Sequence, residues 1–314
     1  MELTKNFKQL GKGDANIAGG KGASLGEMIN NKIPVPPGFV VLASTFDKFL
    51  AETDLNVEID ATIKTVKHDD INSVEKASVK IRDMVMDAKM PDDIAEEVTK
   101  DFGELGAELV AVRSSATAED SSAASWAGEL DSYLNVTKDN LLESVKKCWS
   151  SLFTPRAIFY RFEKNMQDQE ISVAVVVQKM AQSEVSGITF TVHPVTEDRN
   201  QMVIEAGFGL GEAIVGGIIT PDTYIIDKAD MSLIDINISC QEKQIVRTKE
   251  GSGETPVPAS EQEKQKISGK QVIELAEICM GIEKHYGFPC DIEWAYEKGT
   301  FYIVQSRPIT TLSS

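Results

Sequence analysis

Positive charge is scarce in this chain. Its 32 Lys and Arg face 49 Asp and Glu, a formal net charge of −17. A polynucleotide binder needs a basic face to displace counterions from phosphates, so no nucleic-acid partner is expected. Long apolar runs are also missing: none reaches the roughly 18 residues a membrane span requires. The opening Met-Glu-Leu-Thr-Lys-Asn carries no apolar signal core. The expected place is the cytoplasm, with no membrane partner. Cysteine is sparse, and Cys148, Cys240, Cys279 and Cys290 stand far apart with no CxxC, so buried free thiols are expected rather than disulfides or zinc. His68, His193 and His285 are the only histidines, and none falls in a recognisable Ser-His-Asp setting. No internal repeat is visible.

What is present is enough chain for two lobes of about 100–200 residues each. Acidity keeps such a protein soluble without fixing its fold. An acidic protein that binds polyphosphate must gather cations locally, which directs attention to isolated Lys and Arg in Gly-rich or Ser-rich turns. GKGDANIAGGKGASLG (11–26) reads as a Gly-rich loop running into a short helix, and IPVPPGFVV (33–41) as an extended segment. Residues 45–52 and 57–105 read as mostly helical, with Pro91 in a first turn. LVAVR (109–113) and YLNV (133–136) read as strands around a loop of small hydroxylic residues. Residues 139–152 and 155–167 read as helices, with Thr154 capping the second.

The apolar run ISVAVVVQKM (171–180) predicts a strand buried on both faces. GITFTV (187–192), MVIEAGFG (202–209), and a possible meander of TYIID, LIDINI and QIVR follow. GLGEAIVGG (209–217) is a second Gly-rich turn. The polar stretch 248–266 reads as a loop or flap, and Ser268 with Gln271 as a capping box before a helix over 269–286. The lobes divide at 1–182 and 183–314.

The final hairpin is the most informative feature. Side chains alternate along a strand, so Asp291 and Glu293 share one face of DIEWAY, with Ile292 and Trp294 opposite. Gln305 and Arg307 share a face of TFYIVQSR. An odd-length turn over 298–300 places Glu293 opposite Gln305 and Asp291 opposite Arg307. Two carboxylates, an amide oxygen and a guanidinium on one face suit Mg2+ with a polyphosphate. The same face fits a solvated cross-strand ion pair equally well.

Lys21 in GGKGAS has glycines that let backbone approach an anion, although the segment is not a Walker A loop. Arg113 ends a strand directly before Ser114, Ser115 and Thr117, where a cation and hydroxyls can wrap phosphate. Gln178-Lys179-Met180, leaving the long apolar strand, offers either an adenine slot or an ordinary strand end. The GLGE turn is a further backbone cradle.

GGKGASLGEM, VPPGFVV, AVRSSATAED, WAGELDSYLNV, SLFTPRAIFYR, GLGEAIVGG and DIEWAY…FYIVQSRPIT occur in that order. Together they resemble the N-terminal ATP-grasp domain shared by phosphoenolpyruvate synthase, pyruvate phosphate dikinase and rifampicin phosphotransferase, over about residues 10 to 312. The resemblance implies an α+β, ATP-grasp-like fold of two lobes with the nucleotide cleft between them, and ATP and Mg2+ as cofactors. It implies phosphate contacts from Lys21 and Arg113, with Gly128 and Ser132 in the phosphate loop. Gln178, Lys179 and Met180 would flank adenine. Glu205, Gly209 and Gly211 would lie near ribose and phosphates. Glu293 and Gln305 would hold the metal, with Asp291 nearby and Arg307 on the transferred phosphates.

Members of that family pass a phosphoryl group to a histidine in a motif resembling GG-x-x-[ST]-H, on a swivelling domain. No histidine of this chain has that setting. The expectation is a dikinase-type phosphotransferase that is incomplete without a phosphohistidine domain and a substrate domain, in cis or in trans. Two other readings stay open: the same domain of a rifampicin phosphotransferase, and a nucleotide-binding module without turnover.

Overall fold

The computed structural model describes residues 1–117, 120–121, 124–125, 131–164, 166, 172–248, 251–310 and 312. Gly128 of the expected phosphate loop lies outside the described residues. The chain divides into two compact units, residues 1–27 with 37–180, and residues 28–36 with 181–314.

The first unit contains β1 (Thr4–Asn6), α1 (Ala15–Asn30, whose last three residues belong to the second unit), β2 (Gly38–Val41), α2 (Ala43–Glu52), α3 (Leu55–Ile63), α4 (Ile71–Asp87) and α5 (Asp92–Leu105). It continues with β3 (Val110–Ala116), β4 (Asp120–Ser121), β5 (Ala124–Ser125), β6 (Ser132–Val136), α6 (Leu141–Ser150), α7 (Pro155–Glu163) and β7 (Val173–Lys179). Thr154 caps α7 as its sequence suggests: its hydroxyl accepts the Ala157 amide, and Pro155 takes the first turn. Pro91 stands one position earlier than expected, as the N-cap of α5.

Five strands form a sheet in the order β1-β2-β7-β3-β6, every pair antiparallel. β7 lies at its centre, which explains the nearly unbroken apolar run. Val173, Val175 and Val177 enter a core with Phe46, Ile81, Val145 and Trp149, while Ala174 and Val176 are buried on the opposite face.

The second unit holds β8 (Val185–Phe190), β9 (Gln201–Phe208), α8 (Glu212–Val215), β10 (Asp222–Asp227), β11 (Leu233–Asn237), β12 (Lys243–Thr248), β13 (Gly251–Pro256), α9 (Gly269–Tyr286), β14 (Cys290–Glu297) and β15 (Thr300–Pro308). Six strands run β11-β10-β9-β8-β14-β15, again all antiparallel. Antiparallel sheets with segregated helices make the class α+β. α9 begins at the expected Ser268–Gln271 capping box. It packs across β9 and β14, where Leu275, Cys279 and Ile282 meet the face carrying Ile204, Tyr224, Ile292 and Trp294.

Two expectations change here. QIVR, in β12, does not join a meander with β11; it pairs with β13 in a separate hairpin. That hairpin also occupies part of the stretch expected to be a loop over 248–266. Its cross-strand pairs, Ile245 with Glu254 and Arg247 with Ser252, form locally without a long apolar face. Among the cysteines, Cys148, Cys279 and Cys290 are buried free thiols as expected, but Cys240 is exposed. No helix among the described residues is long and apolar enough to cross a membrane.

The chain segments on either side of the separate hairpin are tied to β10 by a fully buried ion pair. Lys266 Nζ stands 2.8 Å from Asp222 Oδ1, with both side chains completely buried. The same carboxylate also accepts the Ser239 and Lys266 amides and the Tyr224 hydroxyl. Such a pair is costly to break because one charge remains buried without its partner. Lys266→Met should therefore lower the unfolding free energy of the second unit by about 3 kcal/mol or more. Urea unfolding of the single variant and of Asp222→Asn/Lys266→Met checks this. The double variant, with no orphaned charge, should recover part of the loss.

Candidate nucleotide-binding residues

In the first unit, the helix expected at the end of the Gly-rich stretch 11–26 begins early and takes up most of it, as α1. A 3-10 turn at Lys12–Asp14 leads into helix at Ala15, and the helix is interrupted at Gly19, where φ is 67° and ψ is 170°. A side chain at Gly19 is excluded by space as well as by φ, since a Cβ there would stand 2.1 Å from Ser115 Oγ. Helix resumes immediately, and Lys21 lies in the first turn after the break. Gly22 sits against Val40 of β2.

Register fixes which residues share the sheet face that α1 covers. Arg113 pairs with Ser132 on β6 and Val176 on β7, and Ala111 pairs with Gln178. Ser115, Arg113 and Ala111 share one sheet face by alternation, so Ser132 and Gln178 share it too. This is the face on which Ser115 and Val40 meet α1. Burial pushes the Cys148 thiol up to about 12, and the Lys21 charge works in the opposite direction.

Lys179 is exposed and takes the opposite strand face from the buried Gln178. The amides of Lys179 and Met180 donate to the carbonyls of Pro37 and Leu109. The hydroxyls after Arg113 do not form the expected phosphate wrap. β3 continues through Ala116, so alternation sends Ser114 and Ser115 into opposite buried faces. Ser114 Oγ bonds the Asp131 and Cys148 carbonyls and Ser151 Oγ, and Thr117 Oγ1 donates to the Ser172 carbonyl.

In the second unit the hairpin pairing is the expected one, with Glu293 opposite Gln305 and Asp291 opposite Arg307. The expected reason is wrong. The turn is the two-residue Lys298-Gly299, both at positive φ, and Glu297 pairs with Thr300. That even turn alone would set Glu293 opposite Val304. A bulge between Glu293 and Trp294 supplies the odd residue and restores the register. Trp294 is buried, as alternation requires.

The sheet carries this face further than the hairpin. Glu293 pairs with Ile188 on β8, and Ile188 with Glu205 on β9, so Glu205, Ile188, Glu293 and Gln305 form one row. Arg307 donates to Asp291 Oδ2 through Nε at 2.9 Å and Nη2 at 2.8 Å. Asp291 Oδ1 is buried with no hydrogen-bond partner among the described residues. Such an atom, beside a second carboxylate and a buried amide, fits a hard cation. No group of three or more His, Cys, Asp or Glu among the described residues could hold a metal ion by itself. A partial protein ligand set is what Mg2+ uses when phosphate oxygens complete its shell.

The GLGE turn offers less backbone than expected. The amides of Gly209 and Leu210 already donate to the Glu184 and Ile245 carbonyls, and the Gly209 carbonyl accepts both Ser183 and Ser186 hydroxyls. Gly209 has φ of 90°, and a Cβ there would stand 2.4 Å from the Ile245 carbonyl oxygen. Gly211 precedes α8, which is only four residues long.

The face suits a protein that handles a polyphosphate together with a hard cation. Residues 15–314 match the family of the pyruvate phosphate dikinase AMP/ATP-binding domain, and the chain belongs to that family. It is 46% identical to a probable phosphoenolpyruvate synthase of Methanocaldococcus jannaschii over 99% of this chain and 27% of that protein. It is 44% identical to a probable phosphoenolpyruvate synthase of Methanothermobacter thermautotrophicus over 98% of this chain and 46% of that protein. Rifampicin phosphotransferase of Bacillus subtilis is 40% identical over 99% of this chain and 36% of its own length. The chain thus spans between about a quarter and a half of these relatives.

Burial holds the Glu205 carboxyl above its ordinary range, with the Asp291 charge adding to it. Burial likewise raises Asp291, and Glu293 adds to it while Arg307 opposes it. A raised folded pKa means the native state takes up its proton before the unfolded chain does on acidification. The group then weakens the fold above its folded pKa, and the penalty fades as pH falls through that value toward the unfolded carboxylate range. Glu205→Gln should raise the thermal unfolding temperature at about pH 7 and change it little at about pH 3. Thermal scans at both pH values check this, and an equal gain at the two would contradict the electrostatic account.

Proposed function

We propose that this chain is the ATP-handling, ATP-grasp-type part of a phosphoenolpyruvate synthase-like phosphotransferase. The observation that carries the reading is the row of Glu205, Glu293 and Gln305 beside an Asp291 whose one oxygen is gripped by Arg307 and whose other is orphaned. Glu293, Gln305 and Asp291 would hold Mg2+, which would supply charge neutralisation on phosphate oxygens. Lys21 and Arg113 bind phosphates, with Ser132 and Gly128 in the phosphate loop. Arg307 grips the transferred group. Gln178, Lys179 and Met180 flank adenine, and Glu205, Gly209 and Gly211 lie toward the ribose and phosphates.

The chain's own part is positioning and charge stabilisation. The acceptor is a histidine of a separate swivelling domain, whose imidazole nitrogen attacks the β-phosphorus as AMP leaves. The chain's three histidines are in other settings. His193 Nδ1 accepts the Val195 and Thr196 amides, His68 stacks on Phe162, and His285 approaches the Asn31 amide. The likeness to rifampicin phosphotransferase supports a second reading, in which the final acceptor is an antibiotic hydroxyl rather than pyruvate.

Lys21→Ala and Arg307→Ala should each weaken Mg-ATP binding by about 1.5–3 kcal/mol without unfolding the protein, because each removes charge-assisted phosphate contacts. Titration calorimetry with circular dichroism checks both, and wild-type affinity in the two variants would refute the roles.

Incubated alone with pyruvate, ATP and Mg2+, the chain should bind nucleotide, hydrolyse little, and form no phosphoenolpyruvate in a coupled assay. A histidine-bearing partner domain should restore AMP formation. AMP release that never depends on such a partner would favour a different acceptor, and none under any condition would favour a module that only binds. With the partner and substrate domains of a relative supplied, pyruvate and rifampicin as competing acceptors separate the two enzyme readings.

A further inference from the structure

Ser115 occupies an unusual place. It is fully buried, and its hydroxyl reaches from β3 into α1. Ser115 Oγ accepts the Gly22 amide at 3.3 Å and donates to the Ala18 carbonyl at 3.0 Å. Ala18 and Gly22 are four residues apart, and in an unbroken helix their groups would bond to each other. The hydroxyl therefore stands inside the helix ladder and replaces one rung. The break at Gly19 falls between these two residues, where the glycine backbone lies so close to Ser115 that a Cβ would be 2.3 Å from its carbonyl oxygen. A side chain inserted into the ladder is one of the few physical causes of a sharp helix break.

Two candidate phosphate ligands flank this joint along the chain. Lys21 lies in the first turn after the break, one residue before the amide that Ser115 holds. Arg113 is two residues before Ser115 on β3 and shares its sheet face. We infer that Ser115 is a positioning residue for Lys21: by replacing the Ala18–Gly22 rung it holds α1 open at Gly19 and fixes the turn that carries Lys21 relative to Arg113. Without the hydroxyl, the carbonyl and amide it served could close their own bond, and the turn would lose its tie to the strand. The inference rests on the reading of Lys21 as a phosphate ligand.

The test is calorimetric titration of the full chain and its Lys21→Ala, Ser115→Ala and double variants, with Mg-ATP and separately with adenosine. Ser115→Ala should weaken Mg-ATP binding about tenfold and leave adenosine affinity unchanged. The double variant should bind Mg-ATP no more weakly than Lys21→Ala, since the hydroxyl acts through the ammonium. Wild-type ATP affinity in Ser115→Ala, beside a weakened Lys21→Ala, overturns the inference and leaves the nucleotide reading standing. Equal loss of ATP and adenosine overturns it in favour of general packing, and additive losses exclude action through Lys21. A Lys21→Ala variant with unchanged ATP affinity removes both the reading and the inference. Should the alanine variant fail to fold, Ser115→Cys, a weaker donor of similar shape, takes its place; it should weaken ATP binding less and again spare adenosine, and parallel loss of both ligands overturns the proposal.

Discussion

Alternation of side chains along antiparallel strands is the constraint on which both units depend. Each strand must send half of its residues to a helix-covered core and half to the other side. In the first sheet, Val173, Val175 and Val177 fill the core, while Gln178 and, across the register, Arg113 take the other face. In the second sheet, Ile292 and Trp294 go under α9, and Asp291 and Glu293 are left on the open side. The packing that stabilises each sheet thereby leaves polar side chains on its reverse, as single residues among Ala174 and Val176 in the first sheet and as a row in the second. A one-residue slip would send the carboxylates into the core and the tryptophan out of it.

Proteins hold such a register through local irregularities, and this chain uses two kinds. Between Glu293 and Trp294 a bulge corrects an even turn, so that Arg307 reaches Asp291. At Gly19 a helix yields to a serine hydroxyl from a neighbouring strand. Each departs from regular hydrogen bonding beside residues proposed above to bind nucleotide, and deviations from ideal structure commonly concentrate at functional sites.

The electrostatics follow the same pattern. An acidic chain gains nothing in stability by collecting Glu205, Asp291 and Glu293 on one half-buried face, and burial opposes the ionisation of Glu205 and Asp291. Arg307 offsets the cost for only one oxygen of Asp291. The remaining strain suits a cation that arrives with its own phosphate ligands. The fully buried Asp222–Lys266 pair contrasts with this, because its carboxylate is saturated with donors and ties β10 to the segments at Ser239 and Lys266.

By itself the sequence determined the features that depend on neighbours in the chain. The caps at Thr154 and Ser268, the central strand around Val175, the faces of Glu293 and Trp294, and the family motifs are all local, because helix caps and strand alternation are set by residues a few positions apart. Tertiary structure decided what depends on distant partners. The bulge that corrects the hairpin has no sequence signal comparable to the Lys298-Gly299 turn beside it. Glu205 joins the metal-type row only through the pairing of β9 with β8, and the ordered β12–β13 hairpin emerges from a stretch whose composition reads as loop. Most clearly, Ser115 looked like a phosphate ligand in a run of hydroxyls. Only the crossing of β3 and α1, 93 residues apart at its bond to Gly22, turned that hydroxyl inward to replace a rung of the helix. A side chain's composition states what it can bond; the partner it finds is fixed by which backbone groups the fold leaves open beside it.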